Sequence, residues 1–288
     1  MLGRDTAGER ARALAVYALV VLVGAAAFLY PFWLPRHALP ARAHAGDAPL
    51  VAAVIGVLVV VAVTLELRRG AMNGATVAVL GVLSATAGLL RLLDLPGGGS
   101  GIFFLVILAG AAFGPRFGML LGLCAMATSG IITGGIGPWL PFQMLALGWM
   151  GGTAGLAGRA TRRLPPLPEV MALSAFGWVW GFAFGAVMNL WFWPFAVGQG
   201  PLSWDPALSL SGTVSRYWTF YSATSLAWDA AASVTNAALI VVTGRPLLAS
   251  MRRVACRLDP VVELVDDDPA PAPGRAGGAL PVEGASVA

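Results

Sequence analysis

Lysine is absent from this 288-residue chain, and all 18 of its basic residues are arginine. That absence excludes every mechanism built on a lysine amine: Schiff-base chemistry, Ser-Lys dyads and the phosphate cradle of a Walker A loop. Charge is scarce as well. Only 11% of the residues are charged and 58% are apolar, where a soluble domain has roughly 25% charged. So little charge cannot cover a soluble fold of this length, so the composition points to a polytopic membrane protein and away from a globular cytoplasmic enzyme. Cysteine is nearly missing: Cys124 and Cys256 are too few and too far apart for a disulfide framework or a cysteine-rich metal site. The two histidines, His37 and His44, both fall in the first connecting loop, which leaves none in an apolar run to activate Ser129 as a protease nucleophile. Asp229 stands alone in its apolar run, so a two-carboxylate intramembrane site is excluded, and no Asp-rich prenyl-transfer box occurs. Gly97 to Gly101 precedes an apolar helix and follows no strand, which removes the context a dinucleotide loop needs. The inventory reads as a protein that is not an enzyme, with no cofactor and no metal. Its net charge of +4 sits in arginines at the ends of apolar runs, where membrane topology explains it without nucleic acid.

What the chain does have is long apolar runs. A hydrocarbon core of ~30 Å takes about 20 helical residues, and runs of that order extend over 13–34, 50–67, 75–93, 141–158, 169–193 and 218–243. The first ends in Tyr-Pro-Phe-Trp-Leu-Pro instead of a small-residue cleavage site, so it is expected to stay as a helix. The run over 102–133 would make a helix of about 48 Å, too long for one span. Gly114-Pro115-Arg116 interrupts it near its middle. Reading it as two short helices, 102–113 and 117–133, gathers thirteen arginines, apart from Arg275 in the tail, on one side and leaves Arg36, Arg42, Arg91 and Arg216 on the other. Because cytoplasmic loops collect positive charge, the expectation is an all-α integral membrane protein of eight helices with both termini cytoplasmic. Residues 1–72 form an amino-terminal helix pair, 73–250 a six-helix core and 251–288 a cytoplasmic tail. From Asp266 onward that tail is acidic and then rich in Pro, Gly and Ala, which predicts disorder.

Six tryptophans, Trp33, Trp139, Trp191, Trp193, Trp204 and Trp218, fall at predicted outer helix ends or in outer loops, while the cytoplasmic ends have almost none. An ordinary aromatic belt occupies both faces, so the asymmetry favours an outward-facing aromatic pocket. The segment Ser129 to Met144, with Gly134-Gly135-Ile136-Gly137-Pro138-Trp139-Leu140-Pro141-Phe142-Gln143 at its heart, joins close-approach glycines and turn-fixing prolines to a Trp and a Gln. It reads equally as a ligand-facing loop and as a rigid hairpin. Trp218, Ser222, Ser225, Asp229, Ser233 and Asn236 recur at steps of three and four, which predicts one polar helix face turned inward. A carboxylate at the depth of Asp229 costs at least ~2.5 kcal/mol unless paired or hydrated, so it is a functional candidate, with a structural clasp as the alternative. Asn189 is a similar case, and Arg91 with Asp94 reads as an interfacial ion pair or a ligand clamp. Trp139, Gln143, Asn189, Trp191, Trp218, Asp229 and Arg91 are the expected substrate-binding residues. Gly74, Ala78, Gly81, Ala85 and Gly88 form a small-residue seam against which another helix can pack closely.

With that seam, the Gly114-Pro115-Arg116 break and the Gly-Ile-Gly-Pro-Trp-Leu-Pro-Phe-Gln-Met loop, the chain resembles the substrate-specific (S) component of energy-coupling-factor (ECF) vitamin transporters over residues 73 to 248. The resemblance implies a six-helix fold, here preceded by two extra helices. It implies a vitamin-binding subunit without ATPase activity, working with a transmembrane coupling (T) subunit and two ABC-type ATPase subunits in the plasma membrane. In that family small residues four apart on the first core helix dock the coupling subunit, which corresponds here to Gly81 and Ala85. The long Trp-bearing segment 194–217 makes the cobalamin-type members the most similar. Met1-Leu2-Gly3 lacks the amino-terminal His of the metal-importing members. A stand-alone proton-coupled secondary transporter using Asp229 is the alternative.

Overall fold

The computed structural model describes residues 7–34, 43–93, 95, 100–196 and 200–258. His37, Asp94, Gly97 to Gly99, Met1 to Gly3, Arg4, Arg36, Arg42 and the acidic segment from Asp266 lie outside the described residues. Among those described, all regular structure is helical: α1 (Ala7–Leu29), α2 (Ala48–Arg68), α3 (Gly74–Leu90), α4 (Ile102–Phe113), α5 (Pro115–Thr133), α6 (Leu140–Thr161), α7 (Pro166–Phe192), α8 (Leu210–Thr224) and α9 (Leu226–Leu258). Five are long and apolar enough to cross a membrane, namely α1 with its extension to Trp33, α2, α5, α7 with its extension to Phe195, and α9. The protein is an all-α, multi-pass membrane protein.

The helix ends follow from local chemistry. Asn73 caps α3 by accepting the Thr76 N–H at 2.8 Å, and Ser209 caps α8 by accepting from Gly212 at 3.2 Å. Gly114 separates α4 from α5 with a φ of 98°, a conformation that favours glycine, and Pro115 opens α5 without needing a donor partner. Gly134 closes α5 in the left-handed region.

The last run differs from the expectation of one helix over 218–243. It breaks at Ser225, so Trp218 and Ser222 lie on α8 while Asp229, Ser233 and Asn236 lie on α9. Ser225 leaves helical geometry there, with a φ of −132°, and its hydroxyl donates to the Asn189 side chain on α7 at 3.1 Å. At its other end α9 continues to Leu258, so residues 251–258 are helix and not tail.

Glycine sets the packing. Gly148, Gly151, Gly155 and Gly158 recur along α6 at steps of three and four. A Cβ on Gly155 would strike the backbone at Pro115, and one on Gly158 the backbone of Ala111. This is the close-approach seam of the core, and it brings α6 onto α4 and α5. Helix α4 lies in the middle, buried from Phe104 to Ala111. On α3 the predicted seam divides. Gly88 packs on Ser129 of α5, whereas Gly81 and Ala85 are exposed and a Cβ at Gly81 would meet nothing within 4 Å. The amino-terminal pair α1 and α2 docks mainly on α6, through a cluster that joins Val20 and Ile55 to Leu123, Phe142 and Leu145.

Helix α9 lies along α7, glycine against polar residue. Gly177, Gly181 and Gly185 face Asn236, Ser233 and Asp229 in turn. Asn236 donates to the Gly177 carbonyl at 2.8 Å and Ser174 donates to the Ala237 carbonyl at 3.0 Å. At the far end Arg252 makes a two-pronged contact with Glu169, at 2.8 and 2.5 Å.

Candidate functional site

A cavity of about 410 Å³ opens where the start of α6, the end of α7 and the start of α9 meet. Trp139, Gln143, Asn189, Trp191 and Asp229 all line it, with Phe184, Met188, Phe192, Gly185 and Ser225 completing the wall. Five of the seven expected binding residues are thus brought together. Trp218 is not among them: it lies on α8, 59% exposed, with its ring against Tyr221. The break at Ser225 separates α8 from α9 and takes Trp218 away from the face that carries Asp229. Arg91 is also elsewhere, at the end of α3, with Nη1 2.8 Å from the Met126 sulfur, and burial pushes its guanidinium below the ordinary value.

Each lining side chain has a local cause for its position. The Trp139 indole folds back over Gly137, where a Cβ would sit 2.5 Å from the ring, so only glycine there leaves the ring in place. Pro141 lies in the first turn of α6, and Gln143, two residues on, presents its Oε1 as a buried acceptor that receives no hydrogen bond among the described residues. Asn189 is already engaged at both ends. Its amide donates to the Gly185 carbonyl at 3.0 Å, and its Oδ1 accepts the Ser225 hydroxyl at 3.1 Å, which ties α7 to the α8–α9 junction. Asp229 lies against the bare backbone of Gly185, and Tyr221 is beside it. Neither Oδ2 of Asp229 nor the Tyr221 hydroxyl completes a hydrogen bond among the described residues. The Trp191 indole N–H is likewise buried and unpartnered. Gln143 and Asp229 thus bring polar side chains to a lining whose walls are aromatic, while Gln143 Oε1, Asp229 Oδ2 and Trp191 Nε1 are themselves closed off from solvent. Such a lining suits a small molecule that gives and receives hydrogen bonds.

The other tryptophans behave differently from an open aromatic pocket. Trp193 and Trp204 are buried with Phe220 in a separate cluster, and the Trp193 N–H is used on the Leu202 carbonyl at 2.8 Å. Trp33 is 75% exposed.

His44, expected in an outer loop, is fully buried. Its ring is enclosed by Phe142, Phe195, Tyr30 and Trp191, with centroids 4.3, 4.8, 5.6 and 5.8 Å away. Nδ1 lies 2.7 Å from the Asp47 carboxylate, and the residue holds a φ of 54°, unusual outside glycine. Burial pushes its pKa below the ordinary value, although Asp47 pulls the other way. His44 thus braces Trp191 from behind the cavity. Only the Asp three residues downstream hints at this in the sequence.

Among the described residues no group of three or more His, Cys, Asp or Glu side chains could hold a metal ion, and both cysteines are free thiols. The chain matches no family model, no curated protein and no solved structure.

Proposed function

We propose that this protein is a substrate-capture subunit of an ATP-driven importer of the ECF type. It binds a vitamin-like small molecule in the aromatic cavity and passes it inward with a coupling subunit and two ATPase subunits. The observation that carries this reading is the meeting of Trp139, Gln143, Trp191 and Asp229 on one cavity at the arginine-poor end of the bundle. The arginines Arg69, Arg116, Arg159 and Arg252 sit at the opposite helix ends, and Gln143 and Arg159 are separated by about 24 Å of α6. In this reading α1 to α7 and α9 make eight crossings of the plasma membrane, α8 stays at the outer face, and both termini are cytoplasmic. The absence of lysine agrees with energy supplied by partner ATPases. Gly81 and Ala85, exposed on α3, are the proposed contact for the coupling subunit. A cavity of about 410 Å³ is at the small end for ligand sites. It takes a compact vitamin whole, and a corrinoid such as cobalamin by one edge only.

The second reading, a stand-alone proton-coupled transporter, is favoured by one observation: Oδ2 of Asp229 is buried without a hydrogen-bond partner among the described residues. Reconstitution of the purified chain decides between them. Tight binding of a copurifying molecule, identified by mass spectrometry, with no transport until coupling and ATPase subunits are added, supports the first reading. Proton-driven accumulation by the chain alone overturns it.

A further inference from the structure

The arginine-rich end of the bundle holds a cavity of about 630 Å³, larger than the aromatic one. Arg10, Arg69, Arg116 and Arg159 line it, from α1, the end of α2, α5 and α6, and among the described residues Glu66 is the carboxylate of that lining. Glu66 is 2% exposed and lies 3.6 Å from Arg69 and 3.5 Å from Arg116, so two guanidinium groups flank this buried carboxylate while Arg10 and Arg159 line the same cavity. Arg159 also faces an adjoining cavity with Arg162 and Arg252, the last of these held by Glu169. Arginines that only report topology project outward to water and bulk headgroups. Convergence on a shared hollow is not required by topology.

This basin continues into an apolar groove of about 310 Å³. The two share Leu14, Pro115, Arg116 and Leu156. The groove runs between α1 and α6, past Val21 and Met119, up to Trp149. There Gly24 brings α1 onto α6, a Cβ at that position being 2.5 Å from the Trp149 ring. From Leu14 to Val21 the helix rises about 10 Å. Leu156, at the mouth, is 55% exposed, so the groove is open from the side. A cationic basin joined to an apolar channel at a helix-bundle end has the two chemistries of one ligand, a phosphate diester and its acyl chain.

We propose that the basin and groove form a binding site for one anionic phospholipid, with its phosphate between Arg116 and Arg159 and the first part of an acyl chain between α1 and α6. The site is independent of whatever the aromatic cavity binds.

The test is native mass spectrometry of the full chain in detergent, after incubation with phosphatidylglycerol or with phosphatidylcholine of identical acyl chains. One phosphatidylglycerol should be retained over phosphatidylcholine by on the order of tenfold, since basic side chains favour an anionic headgroup over a zwitterionic one. Arg159→Gln combined with Arg162→Gln should remove most of that preference. Thr153→Trp, at an exposed residue that lines the groove but not the basin, should block the groove with the basin intact and lower retention of phosphatidylglycerol by a similar factor. Equal retention of the two lipids, or retention unchanged in both variants, overturns the site. Displacement of the lipid by millimolar inorganic phosphate makes it a free-anion site and overturns the acyl-chain half. A chain that retains phosphatidylglycerol only after residues 259–288 are removed assigns the basin to Asp266, Asp267 and Asp268 instead, and also overturns it.

Discussion

Asn236 of α9 donates its side-chain amide to the backbone carbonyl of Gly177 on α7 at 2.8 Å. The bond is buried and joins residues 59 apart in sequence, so one end of the inward polar stripe is a structural clasp. Its consequence is a stability effect. Asn236→Leu leaves the Gly177 carbonyl with one bond fewer and should lower stability by about 1 to 3 kcal/mol, read as a lower melting temperature in detergent. Ligand affinity at 25 °C should be unchanged, because Asn236 does not line the cavity.

Gly181 gives the sharper test of the same helix pair. A Cβ there overlaps Ser233, including its backbone. Gly181→Val should therefore cost about 1 to 3 kcal/mol or more, since overpacking forces the helices apart. Gly181→Val together with Ser233→Gly should recover part of the loss in the same melting experiment.

The cavity predicts a pattern of affinities. Trp139→Ala and Gln143→Ala should each weaken binding of the copurifying small molecule by roughly 1 to 3 kcal/mol, measured by isothermal titration. Trp218→Ala and Arg162→Ala, both outside the cavity, should leave affinity unchanged. Full affinity in Trp139→Ala and Gln143→Ala with loss in Arg162→Ala would move the ligand to the other end of the bundle.

Gly81 and Ala85 are exposed on α3, and a Cβ at Gly81 would meet nothing within 4 Å among the described residues. Gly81→Leu with Ala85→Leu should leave melting temperature and ligand binding as in the wild type while abolishing ATP-dependent uptake with partner subunits. A fall in melting temperature would mean that this face of α3 packs within the protein.

His44 makes the stability depend on pH. Its folded-state pKa is lowered, so the unfolded chain takes up the proton first as pH falls. The stability contributed by the neutral ring is fully present above the ordinary histidine value of about 6.5, and is lost as pH falls through the depressed folded value. The melting temperature should drop between pH 7 and pH 5. His44→Asn, which tolerates a positive φ and does not titrate, should flatten that part of the drop.

How much of this is legible in the sequence differs residue by residue. The break at Gly114 is readable because a Gly-Pro-Arg triplet inside an apolar run has few other uses. The depth of Trp139, Gln143, Asn189 and Trp191 is readable because helix ends can be counted from the lipid thickness, and depth alone brings them near one another. Facing is harder. Gly81 and Gly148 belong to the same kind of small-residue spacing, yet the α6 series is buried against α4 and α5 while Gly81 is exposed. Spacing shows that a backbone can be approached, not whether anything approaches it. Nor does a helical period show where a helix stops. Trp218 and Asp229 keep the right spacing across Ser225, but Ser225 itself turns out of helical geometry, its hydroxyl bonded to Asn189 of another helix, and no helical period records such a contact. His44 is the hardest case, because its burial depends on four rings from distant parts of the chain.

The stop at Ser225 has an electrical consequence for Asp229. Since α9 begins at Leu226, the carboxylate lies in the first turn of a helix, where the free amide ends of the backbone amount to about half a positive charge. A carboxylate in mid-helix at the same depth would have no such field and would need a side-chain cation beside it. Here the chain itself supplies the opposing potential, from peptide dipoles that cannot be removed by mutating any single side chain. A guest molecule meeting Asp229 therefore need not be a cation, and a neutral hydrogen-bond donor is enough.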